Sequence, residues 1–465
     1  MKLSKTELKL KLKQQLQNPG FINLSDPKLA ELYPELVHNN LNVPIQDFFK
    51  SNQISNEGKD IPVNFGAFLL GSNLNRKIAR DLSTLLGAIE KIPFIWMNSK
   101  SLRKQYNLSD KYLIPLLAEK TRSRWIDYSR FDFIINPNEE IQIMEINSGQ
   151  PACVTVDRYI HEFYSTTPEF STFSNIYDLN VNRYAHQRAP VFALNLIKAW
   201  QKNKNTDRMP NVALLKSKYY DLDLELDLFV KDFYSLGSKC VKAYVQDLDY
   251  ENSQLSHNGI PIDLCYIKFG YGDDEGMALP FSRSAKEVSN FLMAVKNDHV
   301  MVVNSLHANY LLEQKTTLSC LRHPDVVKQL NSNEKDVIER IVPKTFSLAD
   351  LSPEELTHFF SQKDSYALKE ALNIRCRGIT LGWNSDPKQW EIILKKAHQD
   401  KINNWILQKR LTLDQYAVNG KPIYSTFGYF FMEGNPQGIF IRASENPLTS
   451  IGKNGKIQTS LIANI

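Results

Sequence analysis

The chain has 465 residues, of which 42% are hydrophobic and 23% charged, with 19 Gly and 21 Pro. That composition excludes wholesale disorder and collagen-like or low-complexity chains, because a large core can be buried to offset the ordering entropy. Lys and Arg outnumber Asp and Glu by 56 to 51, a net +5 spread over the whole length, so no strongly basic face or arm points to nucleic acid.

Residues 1–60 are polar and predict an N-terminal helical extension. Leu3, Leu8, Leu12 and Leu16 form one helical stripe among lysines. A docking helix or frayed arm suits them, with a membrane-surface helix as the alternative. The segment lacks the apolar centre of a signal peptide, and no run in the chain approaches the ~18 apolar residues of a membrane span. Residues 51–60 read as a loop, and 63–70 as a strand or the start of a buried helix. Over 74–90, Leu74, Ile78, Leu82, Leu85, Leu86 and Ile89 recur on one helical face. Residues 131–147 predict a hairpin whose alternating arms, FDFIIN and IQIMEIN, flank a turn at Pro137, Asn138 and Glu139.

The charged, Pro-terminated stretch 202–210 is the best domain boundary. After it come VALL (212–215), a helix over 222–236 stopped by Gly237, KAYVQDL (242–248), and PIDLCYIKF (261–269) behind an Asn258-Gly259 turn. A helix over 284–296 and VMVVN (300–304) follow. This alternation predicts a small parallel α/β layer, without the glycine fingerprint of a dinucleotide site. From 326 the chain turns helical, and Ser352-Pro353 starts a further helix. Then YALKEA (366–371), GITLG (378–382), a helix at 387–400 and NWILQKRL (404–411) predict an α+β unit. Residues 424–444 close it as two strands turned at Glu433-Gly434-Asn435-Pro436. Four segments result: 1–60, 61–205, 206–325 and 326–465, of mixed α+β and α/β class.

The candidate chemistry lies in five places. Arg130-x-Asp132 and Glu145-x-Asn147 fall on opposite arms of the hairpin, where alternation puts each pair on one face. Two carboxylates and a carboxamide are hard oxygen donors suited to Mg²⁺ with phosphates; the alternative is a solvated strand face with a cross-strand ion pair. Lys369 ends the strand YALK, and the following NIRCRGITLG, with Gly378, suits a basic loop over phosphates. A solvent-facing strand lysine is the alternative. Gln408 ends the strand WILQ, either beside an adenine edge or simply at the surface. Lys315, in EQK, is a second cation or a solvated helix lysine. Arg442 shares a face with Phe440 and either meets an anion or lies at the polar surface of its sheet.

The five cysteines, Cys153, Cys240, Cys265, Cys320 and Cys376, are odd in number and never spaced CxxC. Neither a disulfide framework nor a zinc cluster is expected, and a reducing cytoplasm is the default location. Cys153 reads as a small buried thiol before it reads as a nucleophile. Serine-hydrolase, zincin and Walker A motifs are absent.

In order, the chain carries RFDF (130–133), MEIN (144–147), the layer from VALL to VVN, EQK (313–315), YALK (366–369), RGITLG (377–382), WILQ (405–408) and GIFIRAS (438–444). In this order it resembles the circularly permuted ATP-grasp ligases, the broad class that includes glutathionylspermidine synthase, over roughly residues 120–450. The class commonly has Pro after the strand lysine, where this chain has Glu370. The resemblance implies an ATP-grasp-like fold with a small Rossmann-like layer, in circularly permuted order. It divides the nucleotide domain into a magnesium-hairpin half, 61–205, and a nucleotide-lysine half, 326–465, on either side of that layer.

The resemblance also implies ATP and Mg²⁺ as cofactors. The implied reaction joins a small-molecule or peptide carboxylate to an amine acceptor through an acylphosphate. Asp132, Glu145 and Asn147 would then hold Mg²⁺, Lys315 and Lys369 would face phosphates, and Gln408 would lie on the adenine side. Gly378 would belong to the phosphate lid, 373–382, and Arg130 or Arg442 would steady the acylphosphate. A small-molecule kinase, or an inactive nucleotide-binding scaffold, are the alternatives on the same fold.

Overall fold

The computed structural model describes residues 3–34, 42–52, 54, 61–64, 66–108, 110–136, 140–216, 223–268, 288–373, 376–400, 403–413, 415–418, 420–450 and 455–464. They form a mixed α/β fold with four sheets. The turn at Pro137–Glu139, Arg375 and the start of the helix expected over 284–296 lie outside the described residues.

The largest sheet runs in the order Phe21–Asn23, Phe68–Gly71, Lys456–Asn464, Asn435–Ser444, Lys421–Met432, Tyr128–Ile135 and Ile141–Asn147. Its pairings are antiparallel except that of Phe68–Gly71 with Lys456–Asn464. The strands expected at 131–147 and 424–444 are therefore neighbours in one sheet. Lys456–Asn464 carries no sequence expectation, because its buried residues include Gln458, Thr459 and Ser460 and alternation is lost. Tertiary bonds replace water there: Gln458 donates to Asn23 Oδ1 at 2.8 Å and to the Gly66 carbonyl at 2.8 Å.

The parallel sheet has the order Met301–Val303, Leu264–Lys268, Val212–Lys216, Cys240–Tyr244. Every residue of Leu264–Lys268 is buried. Alternate residues enter two different core clusters, with Cys265 and Ile267 in one and Leu264 and Tyr266 in the other, as a strand covered on both faces requires. The single strand expected over 261–269 is corrected. Ile260–Pro261 pairs with Gln254–His257 in a separate three-stranded sheet, and only Leu264–Lys268 enters the parallel one. Pro261 has no N–H for a central ladder, so the chain breaks there. Likewise, the strand expected over 242–248 ends at Tyr244, with a 3₁₀ turn over Val245–Asp247.

The fourth sheet is antiparallel, in the order Thr345–Ser347, Trp405–Lys409, Tyr366–Glu370, Ile379–Leu381. Leu368 and Leu407, opposite each other, pack with Leu356 and Phe359 of the helix Pro353–Ser361 and with Trp390 and Leu394 of the helix Pro387–Gln399. Strand alternation then turns Ala367, Lys369, Ile406 and Gln408 to the opposite face.

At the N-terminus, a capping box at Ser4 and Glu7 starts the helix Lys5–Gln17. Leu8, Leu12 and Leu16 are buried in a cluster with Ile22, Tyr33, Phe173 and Leu461, while Leu3 is exposed. The stripe is a docking face, and its first leucine lies outside it. Among the described residues, no helix is long and apolar enough to cross a membrane.

Candidate functional site

The hairpin register pairs Arg130 with Asn147 and Asp132 with Glu145, then shifts so that Phe133 faces Ile143. Met144 is the extra residue. A bulge of this kind leaves one residue out of the ladder, and the Met144 carbonyl accepts from Lys369 Nζ at 3.2 Å and Gln408 Nε2 at 3.3 Å. Lys369 Nζ also donates to Gln408 Oε1 at 2.5 Å. The fourth sheet thus touches the first at this bulge.

Arg130 grips Asp132 with two parallel bonds, Nε to Oδ1 at 2.6 Å and Nη2 to Oδ2 at 2.8 Å. Its Nη1 donates to the Ala152 carbonyl at 2.9 Å. Arg442, reaching from two strands away, adds Nη2 to Asp132 Oδ2 at 2.7 Å. Its Nε is buried and makes no hydrogen bond among the described residues. Gly428 makes this crossing possible. A Cβ there would lie 2.4 Å from the Phe440 ring and 2.8 Å from Arg130 Cδ. Burial alone would push Asp132 up, but Arg130 and Arg442 outweigh it and hold the carboxyl at about 2.

Glu145 stands opposite Asp132 in the hairpin register, and Lys315 Nζ stands 3.6 Å from Glu145 Oε2. Asn147 donates its amide to the Arg130 carbonyl at 3.4 Å. Lys315 is buried, which corrects the solvated-helix alternative. It follows a π-turn over Ala308–Leu312, its Nζ donates to the Asn373 carbonyl at 2.6 Å, and its backbone N–H donates to the Ala371 carbonyl at 2.9 Å. Lys369 and Gln408 are buried as well, so neither of their surface alternatives holds. Burial is the main cause that pushes Lys369 down to about 8; Lys315 adds to it and Glu145 opposes it.

Gly378 sits at φ +62, and its carbonyl accepts from the Glu370 N–H at 2.9 Å. A Cβ there would lie 2.6 Å from Glu370 Oε2. Glu370 in turn accepts from Asn373 Nδ2 at 2.8 Å. Glu370 therefore ties Asn373 and Gly378 together through its side chain and its backbone.

Asp132, Glu145, Asn147, Arg130 and Arg442 thus meet on one sheet, with Lys315, Lys369 and Gln408 across from them and Gly378 at the neck of the neighbouring loop. Two participants escaped sequence reasoning. Glu313 Oε2 accepts from the backbone N–H of Ser148 at 2.5 Å and of Gly149 at 2.6 Å. Lys268 is buried and donates to the Gln150 and Pro151 carbonyls and to Glu225. For Glu313 the signal was its place in the EQK triplet; for Lys268 it was a lysine closing an otherwise apolar run. Cys153 is half-buried, and desolvation pushes its thiol up to about 12, which disfavours the thiolate.

Among the described residues, no three or more His, Cys, Asp or Glu stand together as a metal site. Two abutting carboxylates and a carboxamide nevertheless fit a hard cation that takes its remaining oxygens from phosphate and water. A cavity of about 580 Å³ lies elsewhere, lined by Arg122, Arg124, Asp127, Lys202 and Asn435 among others, and includes none of these groups. Compared with known protein families and with curated proteins, the chain gives no match to either.

Proposed function

We propose that the chain is an ATP-dependent carboxylate–amine ligase with an ATP-grasp-like fold in circularly permuted order. The observation that carries this reading is the meeting, at the Met144 bulge, of a two-carboxylate hairpin with Lys369 and Gln408 from a different sheet. Phosphoryl transfer needs little covalent help from a protein; it needs charge neutralised and reactants held in line. Asp132, Glu145 and Asn147 are the residues to hold Mg²⁺, which when bound neutralises and orients phosphate oxygens. Lys315 and Lys369 supply positive charge to the α- and β-phosphates, and Gln408 lies on the adenine side.

In the first step an oxygen of the substrate carboxylate attacks the γ-phosphorus and ADP leaves, giving an acylphosphate. In the second, the neutral amine attacks the acyl carbon, phosphate leaves with the proton that the nitrogen gives up, and an amide forms. The buried, unbonded Nε of Arg442 and the guanidinium of Arg130 are the donors suited to the charge that builds on the acylphosphate. Residues 373–382 serve as the lid that keeps water from that intermediate. The proposed location is the cytoplasm, and all five cysteines are free.

The test is ADP release with ATP, Mg²⁺ and pools of amino acids, short peptides and polyamines. Release that needs both a carboxylate and an amine supports the ligase. Release with one co-substrate and a stable phosphorylated product replaces it with the kinase. Glu145→Gln should lower turnover by orders of magnitude at unchanged melting temperature; activity within a few-fold of wild type would make Glu145 a strand-surface residue.

A further inference from the structure

We propose that Glu313 is a positioning residue, locking the chain that leaves the metal-bearing strand so that Glu145 and Asn147 are held in place for Mg²⁺–ATP. The inference rests on the nucleotide reading above. Asn147 ends its strand, and the next two backbone N–H groups, of Ser148 and Gly149, both donate to one carboxylate oxygen of Glu313. The carbonyls of the same two residues are held from the other side, by Asn304 Nδ2 at 2.6 Å and 3.3 Å. The Ser148 hydroxyl donates to the Ala308 carbonyl at 3.0 Å, in the π-turn that precedes Glu313. Every described polar group of the 148–149 backbone is thereby fixed, immediately beside the proposed ligand Asn147.

Two residues after Glu313, Lys315 faces Glu145 and bonds the 371–373 segment through its side chain and its backbone. The three residues 313–315 therefore bridge the end of the metal strand and the base of the lid. Desolvation pushes Glu313 up to about 7, against the opposing pull of the Gly149 and Ser148 amides and of Lys315. Two amide N–H groups aimed at one oxygen bond a carboxylate more strongly than a neutral acceptor.

Glu313→Gln keeps the shape and one acceptor oxygen but loses the charge, and Glu313→Asp keeps the charge on a shorter arm. Hydrogen exchange and calorimetric titration with ATP over a range of Mg²⁺ concentrations test the inference. The expected result for Glu313→Gln is at least tenfold faster exchange over 145–153 and a severalfold higher Mg²⁺ requirement for ATP binding. Affinity at saturating Mg²⁺ should stay near wild type, and Glu313→Asp should restore part of both effects. A structural cap alone would lower the melting temperature without moving the Mg²⁺ requirement. That result, or exchange equal to wild type, overturns the inference and leaves the nucleotide reading standing. A wild-type chain that binds no ATP at any Mg²⁺ concentration overturns both.

Discussion

Replacing Asp132 by Asn removes one negative charge from between two guanidinium groups and leaves the side-chain shape unchanged. Three charge-assisted bonds of 2.6, 2.8 and 2.7 Å converge on that carboxylate, which is 1% exposed. Burial raises its pKa, but Arg130 and Arg442 more than reverse this, leaving about 2 against an ordinary 3.8. The folded value lies below the unfolded one, so the stabilisation is present above about pH 3.8 and is lost as pH falls through 2. The difference, 3.8 − 2, is worth roughly 2–3 kcal/mol at about 1.36 kcal/mol per unit. Asn also leaves both arginines without their buried counter-charge, which places the total loss at pH 7 at about 3–5 kcal/mol.

With an unfolding entropy of about 2.1 cal/mol/K per residue, 465 residues give roughly 1 kcal/mol/K. Asp132→Asn should therefore melt about 3–5 °C below wild type at neutral pH if the chain unfolds as one unit. Thermal melts of the two proteins from pH 7 down to pH 3 make the check. The gap should narrow on acidification, with about half of the wild type's pH-dependent advantage gone near pH 3. A gap under about 1 °C at pH 7, or one that stays constant with pH, would show that the arginines do not depend on this carboxylate.

ATP binding should take up a proton near pH 8, because phosphate charge restores the protonated form of Lys369, which burial holds at about 8. Calorimetry in two buffers of different ionisation enthalpy measures this, and equal apparent enthalpies would count against it. Lys369→Met removes the buried ammonium and its bonds to Gln408 and the Met144 carbonyl, and should weaken ATP at least tenfold. Gly378→Ala should cost about 1 kcal/mol or more, from the added Cβ at φ +62 against Glu370. Its lid peptides should exchange faster while ATP affinity falls; a neutral effect on both would mean the loop repacks freely.

Much of this arrangement was legible because alternation survives wherever one face of a strand meets a core. Arg130 and Asp132 share a face by that rule, and so do Lys369 and Ala367, opposite Leu368. The bulge was not legible. A period of two says nothing about an extra residue, yet Met144 decides where Lys369 and Gln408 dock. Burial of Lys315 was equally hidden, because EQK reads as a helix surface until Ala371 and Asn373 are brought over it from 56 and more residues away. The N-terminal stripe announced a buried face and not its partner, which includes Leu461 of the last strand. Pro261 carried a signal that the reading of one strand over 261–269 missed: a residue without an N–H marks where a strand cannot continue in the middle of a sheet.

The charges of the cluster constrain what it can accept. Arg130, Arg442, Lys315 and Lys369 face Asp132 and Glu145, so 4 − 2 leaves +2, and Glu313 behind them, pushed up to about 7, offsets this only in part. Both oxygens of Asp132 already accept guanidinium bonds, and Glu145 has an ammonium 3.6 Å away. A bare divalent cation entering here would meet net positive charge in a poorly solvated place, where Coulomb terms are large. A metal that arrives on a nucleoside triphosphate brings net negative charge instead, and gives Lys369 the anion that burial denies it. The proposed site therefore binds metal and nucleotide together, with little affinity for the metal alone. A substrate carboxylate would find in Arg442 Nε a donor that is buried and unbonded among the described residues. Of the two phosphoryl-transfer readings, this donor favours an acyl acceptor over a neutral hydroxyl, because a guanidinium N–H is strongest toward an anion.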